Sequence, residues 1–244
     1  MPTPILLMTR PEDSSERFVE TLSPSVLGRV RLCISPLIRI EPTAQSVDLT
    51  GMDGVIFTST NGVAIASTLT GNRNLPVYCV GKATARLARQ MGWTVVYLGE
   101  TAKDLVSDLR NRDVSGPLVH LCGVHTRGEI AERLTNSQKP TRRQIVYDQK
   151  LVGFSDEAKS LLLSQESIVA PIFSPRTARQ FALECPDAAR IHLIALSAAV
   201  AKPLSVLTAS VISQSERPDA ESMAALIEST VNHLCRVESG GTAQ

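Results

Sequence analysis

The sequence predicts an α/β protein of two domains, each a parallel sheet flanked by helices, joined by a two-stranded β-ladder linker, with one domain discontinuous. Three observations predict it. Apolar runs of strand length alternate with helix-length segments, and parallel strands need crossovers of that kind. Five apolar runs end in a small polar residue that opens a helix pattern: GVIFTSTNGVA (54–64), VYCVGKATARL (77–87), LVHLCGVHTRGEI (118–130), IVAPIFSPRTARQF (168–181) and IHLIALSAAVAKPL (191–204). Two runs that alternate apolar and polar residues, 37–42 and 144–151, bracket a self-contained α/β stretch of ordinary domain size. The expected division is therefore a discontinuous domain of 1–36 plus 152–244, an inserted domain of 43–143, and linker strands at 37–42 and 144–151. A ligand is expected in the cleft between the domains, and two slender crossings predict hinge closure around it.

Taken in order, Ile5 to Thr9 is a first strand, and Asp13-Ser14-Ser15-Glu16 after Pro11 has the form of a capping box. Phe18 and Leu22 lie four apart on one face of the helix it would open. Val30 to Ser35 is the next strand, stopped by Pro36, and SPLIRIEP alternates with proline at both ends, as an edge strand or connector does. From Gly54 to Cys122 strand and helix alternate regularly, with one helix capped by Thr101 and Asp104. Thr126 and Glu129 have the spacing of another capping box, followed by Ile130 and Leu134 on one face. IVYDQKLV is the second alternating run. Ser174-Pro175 is an N-cap with proline at the first helical position. Asp219 to Leu234 closes the pattern as an amphipathic helix with Met223, Leu226, Ile227, Val231 and Leu234 on its apolar stripe.

Composition excludes several classes. Of 244 residues, 43% are apolar and 20% charged, with a formal net charge of +1, which fits neither a disordered nor a fibrous nor a strongly nucleic-acid-seeking chain. No run reaches the roughly 20 apolar residues of a membrane helix. MPTPILLMTR lacks the basic region of a secretion signal, so a cytoplasmic protein is expected. Cys33, Cys79, Cys122, Cys185 and Cys235 are odd in number and form no CxxC pair, so they are expected as reduced core residues and not as a disulfide framework or zinc site. His120, His192 and His233 show no metal-ligand spacing.

With these blocks in hand, the chain resembles the uroporphyrinogen-III synthase family. Thr9 to Pro11 after the opening strand, IFTSTNGV, VGKATARLARQMGW, HLCGVHTRGEI, the IVYDQK run and FSPRTARQF look like family blocks in family order. The resemblance implies two α/β domains joined by a β-ladder, an interdomain active site, no cofactor and no metal. It implies a cyclising hydro-lyase acting on hydroxymethylbilane, a substrate with eight carboxylates: the terminal hydroxyl leaves, the substituted carbon of the last pyrrole attacks, and a spiro species rearranges so that this ring is inverted. The implied partners are that small molecule and, in passing, hydroxymethylbilane synthase. Neither nucleic acid nor membrane is implied, and a monomer suffices.

Such chemistry needs donors that orient a polyanion more than it needs a few strong charges, and backbone N–H groups at helix starts together with hydroxyls supply them. The candidate substrate-binding residues are Thr58, Ser59, Thr60 and Asn61 at the first junction; Gly81, Lys82, Ala83 and Thr84 at the second; Gly123 and Arg127 at the third; Ser174, Pro175, Arg176 and Thr177 at the fourth; and Ser197 at the fifth, with Arg10 beside the first strand. Tyr147 aligns with the tyrosine that the family places at its cleft and is the candidate proton donor for the departing hydroxide. Each has a plainer reading beside it. Tyr147 alone reads as cross-strand packing; Ser59, Thr84 and Ser174 read as N-caps; Arg10, Arg127 and Arg176 read as solvated or locally paired cations; His125 reads as exposed and Cys122 as core.

The fifth junction departs from the family. IALSAAVAKPL has Ala195 or Leu196 where the family usually has glycine, and keeps one hydroxyl, Ser197, in place of a threonine pair. A β-carbon there restricts the φ values open to the turn. The departure sustains a second reading, a synthase-like protein that binds a tetrapyrrole or other polycarboxylate as a regulator without closing the ring. Fold analogy alone adds a third, a two-domain binding protein for a phosphorylated or carboxylated metabolite.

Overall fold

The computed structural model describes residues 3–114, 116–126, 128–186, 190–208 and 211–240, with the side chains of 237–240 excepted. In chain order the elements are β1 (Ile5–Met8), α1 (Glu12–Val19), α2 (Pro24–Leu27), β2 (Arg31–Ile34), β3 (Ile38–Pro42), β4 (Gly54–Phe57), α3 (Thr60–Leu69), β5 (Pro76–Cys79), α4 (Lys82–Gln90), β6 (Thr94–Tyr97), α5 (Ala102–Asn111), β7 (Leu118–Gly123), α6 (Ile130–Thr135), β8 (Thr141–Leu151), α7 (Asp156–Leu162), β9 (Ile168–Ile172), α8 (Pro175–Glu184), β10 (Ile191–Ala195), α9 (Ala198–Leu204), β11 (Val211–Gln214) and α10 (Ala220–Gly240). They form two compact units, Met1–Arg39 with Leu151–Gln244, and Ile40–Lys150.

The first unit is built on the sheet β11-β10-β9-β1-β2, in which every adjacent pair is parallel. Strands covered on both faces read as continuous apolar runs, and the central ones do: ILLM and IVAPI are buried at every position. Ile5, Leu7, Ile172 and Leu193 pack on one face with Phe154, Ala178, Phe181 and Leu204. Leu6, Met8, Val169 and Ile194 pack on the other with Phe18, Val26, Met223, Ile227 and Val231.

The second unit has the order β3-β8-β7-β4-β5-β6. Pairs β8–β7, β7–β4, β4–β5 and β5–β6 are parallel. The two crossing strands run antiparallel: Thr43 N–H donates to the Val146 carbonyl and Val152 N–H to the Leu37 carbonyl, so residue numbers fall on one strand as they rise on the other. One face carries Val55, Phe57, Val77, Val119 and Leu121 against Val63, Ala66, Ala85 and Ala88. The opposite face carries Ile56 and Tyr78 against Leu105, Leu109, Ile130 and Leu134.

Three local expectations are corrected. Asp13 does not cap α1, because Pro11 occupies the N-cap and the helix already runs from Glu12; the Ser15 hydroxyl donates to the Arg10 carbonyl at 3.0 Å. Thr126 and Glu129 form no capping box: Glu129 is itself the N-cap of α6, in the left-handed region at φ 45°, with no side-chain bond. Thr84 is not a cap but lies inside α4, whose N-cap is Gly81 at φ 81°, a value that favours glycine. The Thr101–Asp104 box is present with both of its hydrogen bonds. Cys33, Cys79, Cys122 and Cys185 are buried and Cys235 is partly so.

Candidate functional site

The residues around Tyr147 form the most developed cluster, and strand geometry brings them together. β8 pairs with β7 in regular register from Thr141 to Ile145, but Cys122 lies opposite Ile145 and Gly123 opposite Tyr147, leaving Val146 as an extra residue. A bulge of this kind turns two successive side chains to the same side. Val146 and Tyr147 accordingly both join the core face shared with Phe57 and Leu121. Without the bulge strict alternation would send Tyr147 to the other face.

Only glycine fits beside the ring. A β-carbon on Gly123 would stand 2.7 Å from Cε2 and Cζ of Tyr147 and 3.1 Å from its hydroxyl oxygen. Gly62, in the first turn of α3, would bring one to 3.1 Å from the Leu121 carbonyl and 3.9 Å from Cε1 of the ring. Burial raises the Tyr147 pKa, opposed by the nearby side chain of Ser59. Ser59 is also the N-cap of α3 and accepts from Asn61 N–H at 3.1 Å. The phenol therefore meets the start of a helix, where backbone donors and the helix dipole favour negative charge. Thr58, Ser59, Thr60 and Asn61 are all half-buried.

Polar contacts hold this cluster from the other face of the sheet. Thr58 Oγ1 lies 3.2 Å from His120 Nε2, and burial, with Arg143 adding repulsion, depresses the His120 pKa to about 4. Arg143 Nη2 donates to the carbonyls of Gly123 at 3.0 Å and Val124 at 2.7 Å, and Nε to Cys122 Sγ at 3.3 Å. The end of β7 is thereby fixed beside the bulge. His125 is exposed, with Nε2 3.8 Å from Asp148 Oδ1.

The five turns divide between the sheets, three on the second unit and two on the first. At β5–α4, Gly81 is half-buried, Lys82 and Ala83 are exposed in the first turn and Thr84 is buried; no side chain caps this helix. At the third turn Gly123 belongs to the Tyr147 cluster, and Arg127 lies outside the described residues. On the first unit, Ser174 caps α8 by accepting from Thr177 N–H at 3.0 Å, and the Ser174 and Thr177 hydroxyls bond each other at 2.8 Å, with Pro175 at the helix start and Arg176 half-buried. Ser197 is the N-cap of α9 at φ −163° without a side-chain bond. Neither Ala195 nor Leu196 takes a positive φ, so the expected restriction from a β-carbon at this turn does not arise.

The sequence singled out Tyr147, Ser59 and Gly123 but not His120, Gly62 or Arg143. Gly62 left a signal, a glycine inside a helix where it is disfavoured; His120 left another, a lone imidazole in an apolar strand. Among the described residues no cluster of His, Cys, Asp or Glu could hold a metal, and no helix is long and apolar enough to cross a membrane.

Residues 27–225 match the model of the uroporphyrinogen-III synthase HemD family. Among solved structures, the chain is similar to uroporphyrinogen-III synthetase from Helicobacter pylori, at 15% identity and TM-score 0.67, covering 93% of this chain and 99% of that one. It is also similar to a mutant uroporphyrinogen III synthase from Thermus thermophilus, at 14% identity and TM-score 0.51, covering 95% and 99%. No curated protein matches it. At such identities the structural likeness speaks for the fold alone.

Proposed function

The chain belongs to the uroporphyrinogen-III synthase family, and from that premise we propose that it cyclises hydroxymethylbilane to uroporphyrinogen III, in the cytoplasm and as a monomer. The observation that carries the proposal is the buried Tyr147 phenol, turned by a bulge onto the Ser59 end of α3 and seated where only glycine fits at position 123. Hydroxide is a poor leaving group, and a positioned phenol supplies the proton that lets it depart as water. Burial holds the Tyr147 pKa above its ordinary value of 10, so the proton is present throughout the neutral range. The helix-start donors of α3 and α4, with the hydroxyls of the β4–α3 turn, are the proposed grips for substrate carboxylates, and they set which pyrrole carbon meets the cation. The same role is proposed for the turns at Ser174 and Ser197.

The test supplies hydroxymethylbilane generated in place by its synthase and separates the cyclised isomers by chromatography. Predominant type III product is expected; type I alone, the isomer that forms without an enzyme, would overturn the activity. Tyr147→Phe is expected to lower kcat by about tenfold or more while leaving substrate affinity within about twofold. If both rate and affinity are unmoved in that variant, the site has been misplaced.

A further inference from the structure

We propose that Arg10, seated on the ring of Phe173 in the first unit, is an anchoring contact for a carboxylate of the acidic ligand. Arg10 follows β1, and its guanidinium carbon lies 4.4 Å from the Phe173 ring centroid. The ring is itself held by Phe18, edge to face at 4.8 Å, and Phe18 is buried in the apolar stripe of α1. The backbone is pinned as well, since the Ser15 hydroxyl donates to the Arg10 carbonyl. This is a cation on a fixed shelf rather than a side chain sweeping through solvent.

What the shelf lacks is an anion. Among the described residues, ion pairs engage Arg31, Arg112, Lys150, Lys159 and Arg217, while the Arg10 guanidinium has neither an ion pair nor a hydrogen bond. The charge that it feels most is Arg17, of the same sign, and burial together with Arg17 pushes the Arg10 pKa down. A half-buried cation beside a second cation is unfavourable within the protein alone, and an incoming carboxylate reverses that balance. A guanidinium held over an aromatic ring keeps N–H donors that can meet a carboxylate in two parallel hydrogen bonds. Arginine suits this geometry and lysine does not. Phe173 directly precedes Ser174, the cap of α8, so the shelf adjoins a turn that is rich in donors.

The inference takes the identity of its ligand from the proposed function, and two readouts keep them separable. The variants Arg10→Ala, Arg10→Gln and Arg10→Lys in the full chain are assayed for KM with hydroxymethylbilane, and for Kd with uroporphyrin I, a fluorescent polycarboxylate. Loss of one charge-assisted contact is expected to raise both constants about tenfold in the alanine and glutamine variants. Lysine is expected to recover only part of the loss, with kcat held within about twofold. If Arg10→Ala does not fold, the glutamine variant, which keeps the aliphatic stem, decides. Unchanged KM and Kd in folded Arg10→Gln, or a fall in kcat and melting temperature without a rise in either constant, would overturn the contact. If the parent makes no type III isomer, the activity fails while the uroporphyrin titration still judges Arg10.

Discussion

Gly123 is explained by a neighbour far away in sequence: a methyl group there would overlap the Tyr147 ring, so the absence of a side chain on β7 makes room for the phenol on β8. His120 has a comparable part on the opposite face. It is 2% exposed, bonded to Thr58, and depressed from 6.5 to about 4 by burial first and Arg143 second. The folded chain keeps this imidazole neutral where the unfolded chain would protonate it. Between about pH 6.5 and pH 4 the unfolded state therefore binds more protons, and stability falls as the pH is lowered through that window. The full difference is on the order of 3 kcal/mol. His120→Gln is expected to lack this acid loss. Compared by urea denaturation at pH 7 and pH 4.5, the parent should lose about 2 kcal/mol more than the variant, and equal losses in the two would show that His120 is charged in the native state.

At the level of elements, two threonines with the same spacing signal have different fates. Thr101 caps α5, with Asp104 closing the box, whereas α6 begins only after Glu129. Thr101→Ala is expected to cost about 1 kcal/mol, and Thr126→Ala less than about 0.5 kcal/mol, as read from urea denaturation midpoints; equal costs would restore a cap to Thr126. The contrast shows what was legible. Caps such as Thr101 and Ser174 depend on contiguous residues, and strand runs such as ILLM and IVAPI carry their burial in their composition. The start of α6 depends on positive φ at Gly128 and Glu129, which no spacing rule requires. The bulge was hidden because IVYDQK fits either register until β7 is laid beside it. β11 was missed because VISQ is short and half polar. Of the site, family-like blocks marked Tyr147 and the turns, but the pairing of Tyr147 with Ser59, or of Arg10 with Phe173, joins residues whose sequence neighbourhoods contain no trace of each other.

For the molecule as a whole, the unequal continuity of the two units makes a prediction. The second unit is one uninterrupted stretch, Ile40–Lys150, with helices of its own on both faces of its sheet. Its crossing strands are bonded within it through Thr43 N–H and the Val146 carbonyl. The bulge, Gly123, Ser59 and the His120–Thr58 contact all fall inside it. A chain of residues 37–152 is therefore expected to fold alone, since its size is that of an ordinary domain and its apolar strand faces find their partners locally. Circular dichroism and urea titration should show native-like helix content and one cooperative transition, with a slope of about 1–3 kcal/mol/M. The first unit has no such option, because β1 and β2 come from one end of the chain and β9, β10 and β11 from the other, and its central β1–β9 pairing closes a loop that contains the whole second unit. A folded second unit would mean that this long closure is made around a domain already formed, which reduces the chain entropy that it must overcome. A non-cooperative, gradual loss of signal in residues 37–152 would instead mean that β3 and β8 need the remainder of the chain to hold their register, and that the two units form in one step.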